Sequence, residues 1–491
     1  MKRKLLTVLL CGTLMLTALS GCGQGAEDQS DTNGASAGGE NVVRDELVFV
    51  NYRDIRDLNP HLYAGEMYAQ SILYDTLVSN TSEGYVGCLA EDWTISEDGR
   101  IYTFNIRDGV TFSDGTPCDA NAILANFNAI LENRERHTWL EMMNLLVGVS
   151  APDDDTFVIE MSEPYYPMLT ELACIRPFAM ISPNCMIDGS TKDGVNGYIG
   201  TGPYVLTDFV TDEYAVFEIN ENYWGEKPAI QKITVKVIPD NQTRIMALEN
   251  GEIDLIFGKN MLDADAISQY VDSDKFTVGL SDPTSTRHIV LNTTHDILGD
   301  KSVRQALQHA TNRQAISEGI FYGLEPAADT LYSTTVPYCD VDLEPYAYDM
   351  DEAARLLDEA GWTMGSDGIR TKDGQKLALD LLYNSDSVTE KTISEYLQSE
   401  YLKLGISLNI HGEEEQSYRD NMKAGNFDMV FNICWGMPYD PQSSLAAMRA
   451  PVYGDYAAQQ GLEDKAEIDQ AITDILTSTD EEERQELYTF V

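Results

Sequence analysis

The chain has 491 residues, with 81 acidic against 33 basic side chains and a formal charge of −48. So negative a chain is a poor partner for nucleic acid or an acidic membrane surface, although the charge of any local pocket stays open. Some ~450 residues follow the N-terminal leader, more than one hydrophobic core holds, so two lobes or more are expected.

Lys2, Arg3 and Lys4 precede an apolar stretch from Leu5 to Leu19. It is short and wrongly flanked for a membrane span and fits a secretory signal. It runs into Leu19-Ser20-Gly21-Cys22, which resembles the bacterial lipobox and implies that Cys22 is lipidated as the first mature residue. The small polar run "GQGAEDQSDTNGASAGGE" that follows has too little apolar surface to fold, so it is expected to be a flexible tether. The expected plan is a signal and lipobox over 1–22, a tether over 23–44, lobe I over 45–284 and lobe II over 285–491.

"RIYTFNI" is expected to be a strand, because Tyr102, Phe104 and Ile106 alternate with polar neighbours. After the turn "SDGTP", Ile123, Leu124, Phe127, Ile130 and Leu131 form one apolar helix face. "TFVIEM", "YAVFEIN" and "ITVKVI" are further strands. "RIMALENGEIDLIFG" predicts a helix, a turn at Asn250-Gly251 and a buried strand. In the second half, "DKSVRQALQHATNRQAISEGIF" is expected to be helical, and "DMDEAARLLDEAGW" is a helix stopped at Gly361. "KLALDLLYN", a helix over "TISEYLQSEYLKLG", "ISLNIHG" and "FDMVFNICWG" continue the mixture. This alternation predicts α/β lobes with mixed sheets. "STDEEERQELYTFV" is a helix with no stop signal after it.

Six cysteines remain after Cys11 and Cys22, scattered and without a CxxC. Cys174 and Cys185 are the nearest pair for a disulfide, but small buried hydrophobes are the preferred reading. Enzyme signatures are missing: there is no GxSxG, HExxH, Walker loop or cysteine–histidine zinc pattern. His61, His137, His288, His295, His309 and His411 include no two at ligand spacing on one helix, so a bare metal held by several protein ligands is not expected. "GEEE" at 412–415 offers carboxylates to a hard cation, although such a run is more often a solvated turn.

Three stretches combine aromatics and arginines. "ENRERHTWLEMM" carries Arg136 and Trp139, "LNPHLYAGEMYAQ" carries Tyr63 and Met67, and "WGMPYDP" carries Trp435 and Tyr439. Arg176 stands inside the apolar run "LACIRPF", where a guanidinium is costly unless something meets it. Each stretch alone is equally compatible with core packing or an internal salt bridge.

"GCLAEDWTISEDGRIYTFNIRDGVTFSDGTPCDA", "IGTGPYVL" and "NENYWGEKPAI" resemble the large solute-binding proteins of the peptide and nickel ABC importers. The resemblance runs from about residue 46 to the end and is nearest to the nickel-binding branch, through "NRERHTWLE", "PYYPMLTELACIRPF" and "WGMPYDPQSSLAAMRAP". It implies a two-lobed periplasmic-binding-protein-like fold with a hinge and a ligand trapped between the lobes. In relatives the last segment of the chain completes the first lobe, and this sequence stops before it, so that return is expected to be missing.

The nickel-binding relatives hold a metal already wrapped in a multi-carboxylate chelator, such as histidine molecules or an opine-like metallophore. By resemblance, Arg136 and Arg176 grip chelator carboxylates, Tyr63 and Met67 line the wall near the metal, and Trp139, Trp435 and Tyr439 form aromatic walls. Where those relatives carry a histidine that ligates the metal directly, this sequence has Tyr453, a poor nickel ligand. The chelator is therefore expected to supply the metal's ligands, with no direct protein ligand and no resident cofactor, and nickel, cobalt and zinc stay open. His137 corresponds to no ligand and is read as structural. The expected protein is a monomeric, lipid-anchored extracytoplasmic component that delivers a metal chelate to an ABC permease and its ATPase. A di- or oligopeptide carrier is the alternative, and an exported hydrolase is the competing class.

Overall fold

A computed structural model of the chain describes residues 45–491, apart from 64, 82, 259–260, 437–440 and 452. Cys22, the signal, the tether and Tyr439 lie outside the described residues.

Three sheets organise the body. The first has the order Tyr204–Val210, Tyr214–Ile219, Lys232–Val237, Glu46–Asn51, Leu255–Ile256. The strand Glu46–Asn51 runs parallel to both of its neighbours, while the pairs on the far side are antiparallel. Phe49, Phe217 and Val235 bury one face of this mixed sheet against Leu73 and Tyr74. The edge strand Leu255–Ile256 has only two residues, and Leu255 and Phe257 beside it are exposed. The sequence pattern had predicted a buried strand here; an edge position with one neighbour leaves those apolar residues uncovered.

The second sheet is antiparallel, in the order Ala90–Ile95, Ile101–Ile106, Thr156–Met161, Leu146–Ser150. Tyr102, Phe104 and Ile106 point inward as their alternation predicts, and Ile101 and Asn105 point outward. The helix Ala120–Glu132 covers this sheet. Its first turn is closed by Asp119, whose side chain accepts from the Ala122 N–H at 2.9 Å. Its Ile123, Phe127 and Ile130 are buried against Phe104 and Phe157, with Leu124 and Leu131 at the margin.

The third sheet lies in the second half, in the order Arg287–Leu291, Met429–Ile433, Ala378–Asn384, Ser407–Glu413. It is mixed, with one antiparallel and two parallel pairs. Leu381 and Phe431 meet Leu307, Leu357 and Leu397 from the helices Lys301–Ala310, Met350–Glu359 and Val388–Lys403. The single helical run expected from residue 300 is two helices, Lys301–Ala310 and Arg313–Ile320. Asn312 divides them, because its side chain caps the second helix at Ala315 N.

The end of the chain packs on the first half. The helices Gln442–Ala447, Lys465–Thr477 and Glu481–Phe490 bury Leu445, Ile472, Ile475, Leu476 and Tyr488 in the same core as Phe104 and Phe127. These helices therefore pack on the core of the first half, away from the third sheet. The physical reason is their apolar stripe, which finds its complement on the antiparallel sheet. Arg484 is fully buried there, with its guanidinium 3.5 Å from the Tyr166 ring centroid and 5.0 Å from that of Tyr338.

The family-like strings "IGTGPYVL" and "NENYWGEKPAI" also prove structural. A Cβ on Gly200 would lie 2.1 Å from the Leu73 carbonyl oxygen, so only glycine lets this loop reach the end of the helix Met67–Leu73. There Asp75 accepts from Thr201 Oγ1 at 2.9 Å and from Trp224 Nε1 at 3.0 Å. The six described mature cysteines are buried.

Candidate functional site

The segment "LNPHLY" is pinned before it reaches Tyr63. Asn59 Nδ2 donates to the Thr191 carbonyl at 2.9 Å, and the two ring nitrogens of His61 lie 3.1 Å from Thr191 Oγ1 and 3.2 Å from the Ala179 carbonyl. Burial pushes His61 down to about 3, so it serves as a neutral anchor. Tyr63 then meets two residues of the loop after the helix Ala120–Glu132: Trp139 Nε1 donates to its hydroxyl at 2.7 Å, and His137 Nδ1 lies 2.6 Å from it. Burial, and secondarily the Arg136 charge, push His137 down to about 4. Burial also holds the Tyr63 phenol well above its usual range.

From Trp139 the aromatic contacts cross to the other half of the molecule. Its ring centroid is 5.7 Å from that of Trp435, which follows the strand Met429–Ile433, and the Trp435 centroid is 5.5 Å from that of Tyr453. Both contacts are edge-on. Four residues singled out from the sequence, Tyr63, Trp139, Trp435 and Tyr453, thus form one continuous run.

The arginines differ in their surroundings. Arg136 is exposed at the end of the short helix Arg134–Arg136, and its side chain has no hydrogen-bond or ion-pair partner among the described residues. Arg176 is half-buried; its Nε donates to Gln70 Oε1 at 2.5 Å and one terminal nitrogen donates to the Gly65 carbonyl at 2.6 Å. Both of these acceptors are neutral, and they orient the fork. Gly65 has φ +80, and a Cβ there would lie 2.1 Å from the Asp57 carbonyl oxygen, so glycine is required at the position that holds Arg176. Met67, 48 % exposed, stands one helical turn before Gln70 and shares its face. By contrast, Arg53 and Arg56 are answered by Glu66, at 2.6 and 3.4 Å.

Three neighbours carried no sequence signal. His288 Nε2 lies 2.7 Å from Asp455 Oδ1, and both line a recess with Trp435, Tyr453 and Cys434. Lone His and Asp residues 167 positions apart show no pattern until the fold brings them together. Glu171, just before "ACIRPF", is fully buried; it accepts from Tyr165 at 2.5 Å and from Met142 N at 3.1 Å. Burial raises its carboxyl from 4.5 to about 7. The native state therefore binds this proton more tightly than the unfolded chain does. The associated stability is complete below about pH 4.5 and is lost as pH rises through about 7. Glu171→Gln should flatten the decline in the urea midpoint between about pH 5 and 8; an unchanged decline would assign it to other groups.

"GEEE" is a helix start. Glu414 caps the helix Glu415–Ala424 by accepting from Gln416 N at 3.1 Å, and Glu413 accepts from Ser417 and Asn421, each at 2.6 Å. Among the described residues there is no cluster of three or more His, Cys, Asp or Glu suited to a metal ion.

Comparison with known proteins places this geometry. Residues 84–455 match the family model of the bacterial extracellular solute-binding proteins, family 5 Middle. The chain is 42 % identical over 449 residues to the nickel-binding periplasmic protein of Escherichia coli (strain K12), covering 90 % of this chain and 86 % of that one. It is 27 % identical to the dipeptide-binding protein of the same organism, over 84 % of this chain and 80 % of that one. The crystal structure of NikA from Brucella suis in complex with Fe(III)-EDTA superposes with a TM-score of 0.88 at 44 % identity, covering 91 % of this chain and 90 % of that one.

Proposed function

The chain belongs to the bacterial extracellular solute-binding proteins, family 5, and on that premise we propose that it captures a nickel-type transition-metal chelate between two lobes and delivers it to an ABC permease and its ATPase. The observation that carries the reading is Arg136, whose side chain has no partner among the described residues, three positions before Trp139 of the Tyr63–Trp139–Trp435–Tyr453 run. With Arg176 it offers two guanidinium forks to carboxylates, and the rings cover the ligand's apolar backbone. Tyr453 is a weak metal ligand, so the chelator supplies the metal's coordination. The structural relative that holds Fe(III)-EDTA, a metal enclosed by carboxylates, supports a ligand of this class. Tyr439 and Met67 complete the wall in this reading.

A di- or oligopeptide ligand is the second reading, favoured by the likeness to a dipeptide-binding protein. Calorimetric titration with free nickel, nickel with excess histidine, an opine–nickel complex and a dipeptide mixture decides between them. Binding of preformed chelate alone is expected, and peptide binding without metal would replace the proposal by the second reading. Trp435→Ala is expected to weaken chelate binding about tenfold through lost ring contact. Glu414→Ala should leave binding unchanged and cost about 1 kcal/mol of helix capping. The reverse order of effects on affinity would move the site to "GEEE".

We also propose a monomeric, exported protein anchored through a lipid on Cys22. No helix among the described residues is long and apolar enough to cross a membrane. Cys22→Ser should release the protein from the membrane fraction, and unchanged sedimentation with membranes would refute the anchor.

A further inference from the structure

We propose that His137 is a positioning residue that sets the direction of the hydrogen bonds running from Trp139 through Tyr63, leaving the Tyr63 oxygen one open lone pair that accepts an N–H or O–H from the bound chelate. The ligand half of this inference rests on the chelate reading above; the hydrogen-bond half does not.

The direction follows from the donors present. An indole nitrogen only donates, so Tyr63 accepts from Trp139 at 2.7 Å. The 2.6 Å separation between the Tyr63 oxygen and His137 Nδ1 is shorter than the usual N–H···O range, about 2.7–3.2 Å, and suits a hydroxyl donor. Tyr63 therefore gives its only proton to Nδ1. One of its two lone pairs is taken by Trp139, and the hydroxyl has no further hydrogen-bond partner among the described residues. His137 must then carry its own proton on Nε2, which is buried and has no partner among the described residues. The ring is fully buried and stays neutral at neutral pH, so Nδ1 stays an acceptor.

Two consequences follow. The Trp139 indole is tied at its nitrogen, which sets the ring against Trp435. Tyr63 also cannot donate to a carboxylate; in a cleft where arginines take carboxylates, it selects chelates that also carry a donor, such as a metal-bound amine.

Nitrogen-15 NMR of the ligand-free protein tests the hydrogen-bond half without any ligand. His137 is expected to show an unprotonated Nδ1 and a protonated Nε2, and Tyr63→Phe should shift the Trp139 indole N–H resonance. A proton on Nδ1 would overturn the proposal. For the ligand half, nickel(II) bis-iminodiacetate is compared with its N-methylated counterpart, which keeps the carboxylates and loses the N–H. The native protein is expected to favour the N–H chelate about tenfold. Tyr63→Phe and His137→Leu should lose that preference, and His137→Asn, which keeps an acceptor near the Nδ1 position, should restore it. Equal affinity for the two chelates, or a preference that survives His137→Leu, would overturn the role of His137. Binding of neither chelate would overturn the chelate reading itself, with the NMR result still deciding the hydrogen-bond direction.

Discussion

Arg176→Ala is expected to lower the affinity for nickel presented with excess histidine by a hundredfold or more while the fold persists. A guanidinium meeting a carboxylate makes two parallel charge-assisted bonds, each worth about 1.5–3 kcal/mol, and about 1.4 kcal/mol is tenfold in affinity. Gln70 and the Gly65 carbonyl hold the fork by neutral contacts at 2.5 and 2.6 Å, so the side chain is oriented before a ligand arrives. The substitution removes these two neutral contacts at a half-buried position. Arg176→Lys should fall between the native protein and the alanine variant, since it keeps the charge and loses the fork. Calorimetry paired with a thermal melt reads both quantities. Undiminished affinity in the alanine variant would make Arg176 a scaffold for the Gly65 turn instead of a ligand contact.

The largest expected loss of stability is at Arg484. Its guanidinium lies over Tyr166 and is also within 5.0 Å of the Tyr338 and 5.7 Å of the Tyr488 ring centroids. Nη1 donates to the Ile475 carbonyl, and Glu481 accepts from Tyr166 at 2.8 Å and from Tyr338. Arg484→Ala would leave a cavity, free a buried carbonyl and remove the cation from three rings, a combined cost of about 3–5 kcal/mol. Because Tyr166 and Tyr338 belong to distant stretches, the variant should also loosen the hold of the last helices on the antiparallel sheet. Hydrogen exchange over 465–490 and the thermal midpoint measure this. A loss below about 1 kcal/mol would show that apolar packing of Ile472, Ile475 and Leu476 alone holds these helices.

Local patterns were legible where one face of an element meets one core. Tyr102, Phe104 and Ile106 alternate because one side of their strand is buried, and Ile123, Phe127 and Ile130 recur at helical spacing for the same reason. The break at Asn312 was missed because the apolar spacing continues across it, while a single side-chain hydrogen bond divides the helices. Of the candidate site, the aromatic and arginine residues stood out through their type and the family strings around them. His137 was read as merely structural, since nothing in the order of residues shows that its ring nitrogen meets Tyr63, 74 positions away.

Composition, the alternation of strands and helices, and the strings resembling a solute-binding family were enough on their own to determine the class of fold and the family, and they singled out the candidate pocket residues. These are properties of short stretches, written in nearest-neighbour spacing. Tertiary structure alone decided that the last helices join the first half's core, and that the Arg136 side chain lacks a partner among the described residues while Arg53 and Arg56 are paired. It alone brought Trp139 and His137 to the Tyr63 hydroxyl. Each of these depends on contacts between residues far apart in the chain, where distance, burial and the count of donors and acceptors set the outcome and sequence order carries no record of it.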